Sequence, residues 1–260
     1  MKKGDKVMEK EVKFTDDELK QLLSVYIGYD ERQDESKIFS DLVNPPYTVA
    51  KYSILKNYKG DENDLSIQPI KLQNVISDGL YWRENDPLAS TEFTYSRFLV
   101  PYLNDYKGIA IFCDSDFLWQ CDISELLKYY DEKYAVMCVK HQHNPPEDTK
   151  MDGCIQTHYP RKNWSSLMMF NCSHDDCKNL SVENVNTKEA KYLHRMHWTK
   201  YNSIGSIPPT YNWLEGWYNG NIDPKVIHYT RGGPWHETWN GDYGQHWIKY
   251  YNKINKKQIF

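Results

Sequence analysis

Apolar residues in this chain fall into short unbroken runs separated by polar, helix-like stretches. LLSVYI (22–27), IAIFC (109–113), YAVMCV (134–139) and the LMMF of SSLMMFNC are such runs. A short continuous apolar run suits a strand covered on both faces. LSIQPIKLQ is a further strand candidate. Between the runs, the Pro45-Pro46 pair breaks 36–57 into two pieces, the second helical over 47–55. STEFTYSRFLVPYLNDY reads as a helix capped by Ser90 or Thr91, with Phe93, Phe98, Leu99 and Leu103 near helical spacing. DISELLKYYD reads as another, starting at Asp122 or Ser124. Strands alternating with helices predict an α/β fold with a sheet at least partly parallel. Residues 1–20 are a charged tail and 21–260 a single domain.

The ends of the apolar runs carry the chemistry. Ligands of open α/β sheets bind beyond the carboxyl ends of the strands. Asp30 follows the first run, and Asp114 and Asp116 follow IAIFC one residue apart. Carboxylates at i and i+2 of a turn can converge on one hard cation such as Mg²⁺ or Mn²⁺, or can sit in water. PKVIHYTRGGPWH offers His228 after an apolar pair, then Arg231 beside Gly232 and Gly233. Imidazole completes a mixed oxygen and nitrogen site, and an arginine beside flexible backbone suits a pyrophosphate. The plainer alternatives are a core histidine and an ordinary turn. Residues 150–172 mix Asp152, Gln156, Arg161, Lys162 and Asn163 with Tyr159 and Trp164, a composition for a hydroxyl-rich ligand or a solvated loop.

Composition narrows the field. A net charge of −4 over 260 residues gives no basic face for nucleic acid. The 21 Tyr and 9 Trp either pack a core or stack on sugars. Six cysteines without a CxxC pair, and no apolar leader, point to free thiols in a reducing, cytoplasmic setting. No apolar run approaches the roughly 20 residues of a membrane span.

YIGYD, STEFTYSRFLVPYL, IAIFCDSDFLW, NWSSLMMFNC, IPPTYNWLEGWY and VIHYTRGGPWH occur in that order over about residues 22–250. As an ordered set they resemble bacterial and phage proteins related to glycosyltransferase family 8. The resemblance implies a GT-A fold: a Rossmann-like, mostly parallel central sheet flanked by helices. It also implies a nucleotide-sugar donor, most often a UDP-sugar, with Mn²⁺ or Mg²⁺. Position by position, Asp114 matches a metal and ribose contact, and Asp116 and His228 match metal ligands. Asp30 matches a nucleoside contact, Arg97 an arginine beside the donor sugar, and Asn171 the asparagine closing an apolar strand. The sequence departs from the family where a lysine precedes Pro-Trp: Gly233 stands before Pro234, leaving the phosphate charge to Arg231. The family's Asp-Gln pair near the reacting sugar is absent as well. YLHRMHW (192–198) falls in that region, and Asp152 and Gln156 are the alternative contacts near the acceptor.

The expected activity is metal-dependent transfer of a hexose to a glycan or other acceptor hydroxyl, with retention implied by the resemblance. Trp164, Trp213 and Trp217 are expected to shape the acceptor site. The alternatives are a nucleotide-sugar hydrolase or phosphoryl-transfer enzyme with the same metal site, and a non-catalytic carbohydrate-binding protein.

Overall fold

The central strands send alternate residues into two separate cores, which is why their sequences are apolar throughout. In the computed structural model, which describes residues 22–36, 38–87, 89–142, 161–218 and 222–258, Ala110 and Phe112 face one core while Ile111 and Cys113 face the other. Met168 and Phe170 pack with the first pair, Leu167 and Met169 with the second. Each such side chain removed from water contributes about 1.5–3 kcal/mol.

The strands are β1 (Leu23–Tyr29), β2 (Leu65–Lys71), β3 (Ile109–Cys113), β4 (Phe117–Trp119), β5 (Val136–Cys138), β6 (Leu167–Asn171), β7 (Ile204–Ser206), β8 (Trp213–Leu214) and β9 (Val226–His228). The α-helices are α1 (Pro45–Asn57), α2 (Leu72–Ser77), α3 (Val100–Leu103), α4 (Val182–Thr187), α5 (Ala190–His194) and α6 (Gly244–Gln258). Six strands form the main sheet in the order β2-β1-β3-β6-β5-β7. β1 runs parallel to β2 and β3, and β5 parallel to β7, while β6 is antiparallel to both its neighbours. The sheet is therefore mostly parallel, as expected. Pro69 lies in β2, whose place at the edge tolerates a residue without an N–H.

A second sheet of three short strands, β4-β9-β8, lies beyond the carboxyl end of β3. It pairs Phe117 with His228 and Leu214 with His228. A third core of Leu118, Ile227, Tyr229, Trp235 and Trp247 joins this sheet to α6 and α1.

Pro45 and Pro46 do more than break a helix, because they start α1. Asn44 caps it with φ +46°, its side chain accepting from the Tyr47 N–H while its amide nitrogen donates to the Asp30 carbonyl. The long helix expected over 90–106 is a correction. Only a 3₁₀ turn (Ser96–Leu99) and the single turn α3 form there. The Thr94 hydroxyl takes the Thr91 N–H, and local side-chain bonds of this kind compete with helix formation. At the other end, Asp105 and Tyr106 turn to positive φ. The segment after Asp122 is likewise a 3₁₀ helix (Ile123–Tyr129), capped by Asp122 as expected. The tail at 1–20 lies outside the described residues.

Candidate active site

The turn between β3 and β4 carries Asp114 and Asp116. Asp114 stays tied to the residue before β6, its N–H donating to the Ser166 carbonyl. Two residues later β4 pairs antiparallel with β9, which brings His228 opposite Phe117 and stacks the two rings at 4.4 Å. The Tyr229 N–H then closes onto the Asp116 carbonyl at 3.0 Å. Residues more than a hundred positions apart thus meet through strand pairing. One ligand atom each from Asp114, Asp116 and His228 fall within 4.8 Å of one another.

A chain of hydrogen bonds sets the tautomer of His228. The Ser166 hydroxyl donates to the Asn163 carbonyl at 2.7 Å and so accepts from the Asn212 amide nitrogen at 2.9 Å. That orients the Asn212 carbonyl oxygen toward His228 Nδ1 at 2.9 Å. An oxygen there only accepts, so Nδ1 carries the hydrogen and Nε2 presents its lone pair. Nε2 faces Asp116 Oδ1 at 3.4 Å. That oxygen is sealed from solvent and accepts no hydrogen bond. Two acceptors facing each other in a buried place are costly unless a proton or a cation lies between them. Two carboxylates and an imidazole form a donor set that fits a divalent cation such as Mn²⁺.

Arg97 holds this arrangement from behind. Its Nη1 donates to Asp114 Oδ1 at 2.6 Å and to the Ser165 carbonyl at 3.0 Å, and its Nε donates to the Thr94 carbonyl at 3.1 Å. The guanidinium is buried, 5.0 Å from the centre of the Phe112 ring.

A cavity of about 460 Å³ opens over Arg97, Asp114, Asp116 and His228. It is also lined by Lys162, Lys191, His194 and Arg195. The volume suits a small-molecule ligand.

The other expected residues divide. Asp30 ends β1 as expected, but its carboxylate does not share this cavity: Arg32 covers it, with Nε on Oδ1 at 2.7 Å and Nη2 on Oδ2 at 2.5 Å. Asn171 ends β6 and donates its amide to the Glu132 carbonyl, away from the cavity. Arg231, Gly232 and Gly233 do not line the cavity either. The Arg231 guanidinium stacks over Trp217 at 5.4 Å. Gly233 is required by packing, since a Cβ there would lie 2.2 Å from the Trp235 ring. Trp164 and Trp213 are buried rather than open to an acceptor, and the Trp164 indole donates to the His141 carbonyl. Asp152 and Gln156 lie outside the described residues. The sequence reading missed Asn212, Ser166 and His194. In the sequence Lys162 is one of several polar residues in its loop.

No protein-family model matches the chain. A curated protein of Arabidopsis thaliana, Protein CDI, is 45% identical over 244 residues, covering 90% of this chain and 89% of its own length. This chain belongs to the Protein CDI family. The fold of this family member is shared with solved glycosyltransferases of the GT-A type. The WbbM bifunctional glycosyltransferase superposes with a TM-score of 0.56 at 15% identity, over 88% of this chain and 49% of that one. The glycosyltransferase GlyE of Streptococcus pneumoniae TIGR4 gives 0.53 at 13% identity, over 88% of this chain and 60% of its own. The CDI-family chain thus spans about half to three-fifths of those two structures, and it has their GT-A fold.

Proposed function

We propose that this protein is a metal-dependent glycosyltransferase, related to glycosyltransferase family 8. On this reading it moves a hexose from a UDP-sugar to an acceptor hydroxyl, with retention. Residues 21–260 are taken as one catalytic domain. The observation that carries the reading is the Asp114, Asp116 and His228 cluster, with its unsatisfied buried oxygen, at the mouth of a ligand-sized cavity in a GT-A fold.

Mn²⁺ or Mg²⁺ held by those three side chains would supply Lewis-acid compensation for the charge on a departing nucleoside diphosphate. The protein's own part is placement. Arg97 fixes the Asp114 carboxylate, and Asn212 keeps the lone pair of His228 Nε2 directed at the site. Lys162, largely buried among the cavity-lining residues, would add positive charge to a site that takes a diphosphate. The cavity brings a donor and an acceptor hydroxyl into one frame, which is the larger part of the catalytic problem. Asp30 enters as a nucleoside-side residue through the β1 end, and Asp152, Gln156 and Arg231 as contacts to acceptor and phosphate. A cytoplasmic location is supported by the cysteines: the five that lie among the described residues are all unpaired thiols. No helix among the described residues is long and apolar enough to cross a membrane.

The test is thermal stability of the full chain with UDP, GDP, CMP, UDP-glucose and UDP-galactose, each with Mn²⁺ or with EDTA. A ligand bound to the native state alone raises the melting temperature by mass action. A rise with uridine nucleotides that disappears in EDTA is the expected result. No rise with any nucleotide defeats the reading.

A further inference from the structure

His194 has no role in the metal cluster, yet it is built into the same cavity. It closes α5, and its ring sits edge-on against Tyr95 at 5.7 Å and Phe98 at 5.1 Å. Its Nδ1 is 2.9 Å from the Ser165 hydroxyl. Ser165 also offers its carbonyl to Arg97, which in turn holds Asp114. The imidazole and the metal-binding carboxylate are therefore fixed to one rigid unit. The ring forms part of the cavity wall, and Nε2 has no hydrogen-bond partner among the described residues. Tyr95, beside it, is no substitute, because its hydroxyl is already donated to Asp86.

The surroundings also decide what this imidazole can do. Burial, then the positive charges of Arg97 and Arg83, lower its pKa to about 3 against an opposing effect of Asp86. A ring that stays uncharged through the neutral range is a poor proton acceptor and a serviceable hydrogen-bonding group. A polar atom held in place in a wall of aromatic rings discriminates between hydroxyl positions, since a ligand without the matching group leaves it unpaired.

We propose that His194 Nε2 binds a hydroxyl of the transferred sugar and so sets which nucleotide sugar the cavity accepts. The inference rests on the glycosyltransferase reading and names the residue that reads the neutral, hydroxylated part of the donor. His194 is a specificity residue, not a general base.

The experiment is calorimetric titration of UDP, UDP-glucose and UDP-galactose into the full chain with Mn²⁺, at pH 5.5 and 7.5. It compares wild type with His194→Ala and His194→Gln. Wild type is expected to prefer one epimer. His194→Ala should bind UDP with unchanged affinity while the preference shrinks roughly tenfold, the value of one hydrogen bond. His194→Gln, whose amide still hydrogen-bonds, should recover part of it and guards against loss of packing. The wild-type preference should be the same at both pH values. An unchanged preference in His194→Ala with normal UDP binding overturns the inference and leaves the glycosyltransferase reading intact. So does a wild type without preference, or one whose preference titrates near 6.5. Absence of Mn²⁺-dependent UDP binding in wild type overturns both.

Discussion

Asp30 and Asp114 occupy equivalent places and meet different fates. Each follows a buried strand, and β1 and β3 are parallel neighbours with Ile27 opposite Cys113, so both carboxylates leave the same end of the sheet, Asp30 two residues further along. Each is met by an arginine. Arg32 is two residues from Asp30, its side chain 56% exposed, and it closes on both carboxylate oxygens. Arg97 comes from a separate turn, is 6% exposed, and binds Asp114 while also holding the Ser165 and Thr94 carbonyls. The first pair is a local device that finishes a strand and caps the 3₁₀ turn after it. The second joins three segments and keeps its carboxylate in the cavity wall. Position at a strand end therefore does not by itself place a carboxylate in the cavity wall. What decides is whether the partner covers the carboxylate or supports it from behind.

Removing the supporting arginine has the largest expected effect. Arg97→Ala strands Asp114 and leaves the Phe93, Thr94 and Ser165 carbonyls without its hydrogen bonds, and loss of one member of a buried pair costs about 3–5 kcal/mol. Because Asp114 borders the cavity, the lower end of that range is expected in urea unfolding. Asp116→Asn comes next. It should cut Mn²⁺-dependent UDP affinity by about a hundredfold without lowering the urea midpoint, since the orphaned oxygen accepts no hydrogen bond that the substitution would remove. Normal affinity in that variant would remove Asp116 from the ligand set. Asn212→Ala should lower Mn²⁺ affinity about tenfold, because the His228 ring then loses the bond that fixes its tautomer. A matching loss in metal-free stability alone would make Asn212 a packing residue. Arg32→Ala should be the mildest, about 1 kcal/mol or less, as expected of an exposed partner that solvent replaces. If Arg32→Ala weakened UDP binding as strongly as Asp116→Asn, the contrast between the two strand ends would collapse.

Much of this was legible from sequence where local pattern and final structure coincide. IAIFC reads as a buried strand because both faces of β3 are covered, and the aspartates beyond it read as a site because that is where such sheets bind. The GT-A architecture followed from the ordered segments. Other features depend on distant partners that no local pattern reports. β8 and β9 have two and three residues, too few to show a period, and exist because β4 pairs with β9. Asn212 differs from any polar loop residue only through its contacts with Ser166 and His228. His194 sits in a five-residue helix, and nothing in YLHRMHW separates it from His197, which is exposed. The helix over 90–106 was overread because apolar spacing there outweighed Thr91 and Thr94, whose side chains bond locally instead. That Arg32 covers the Asp30 carboxylate is equally invisible in the sequence, since an arginine two residues away need not turn its guanidinium onto it.

The pairing of Phe117 with His228 also has a consequence in time. Chains are made from the amino end at about 5–20 residues per second. The two aspartates are therefore synthesised on the order of ten seconds before the histidine that completes their cluster. Until then a nascent chain carries two of the three clustered side chains, and only one that has paired β9 with β4 carries all of them. A chain truncated before residue 226 lacks β9 and with it the third side chain of the cluster.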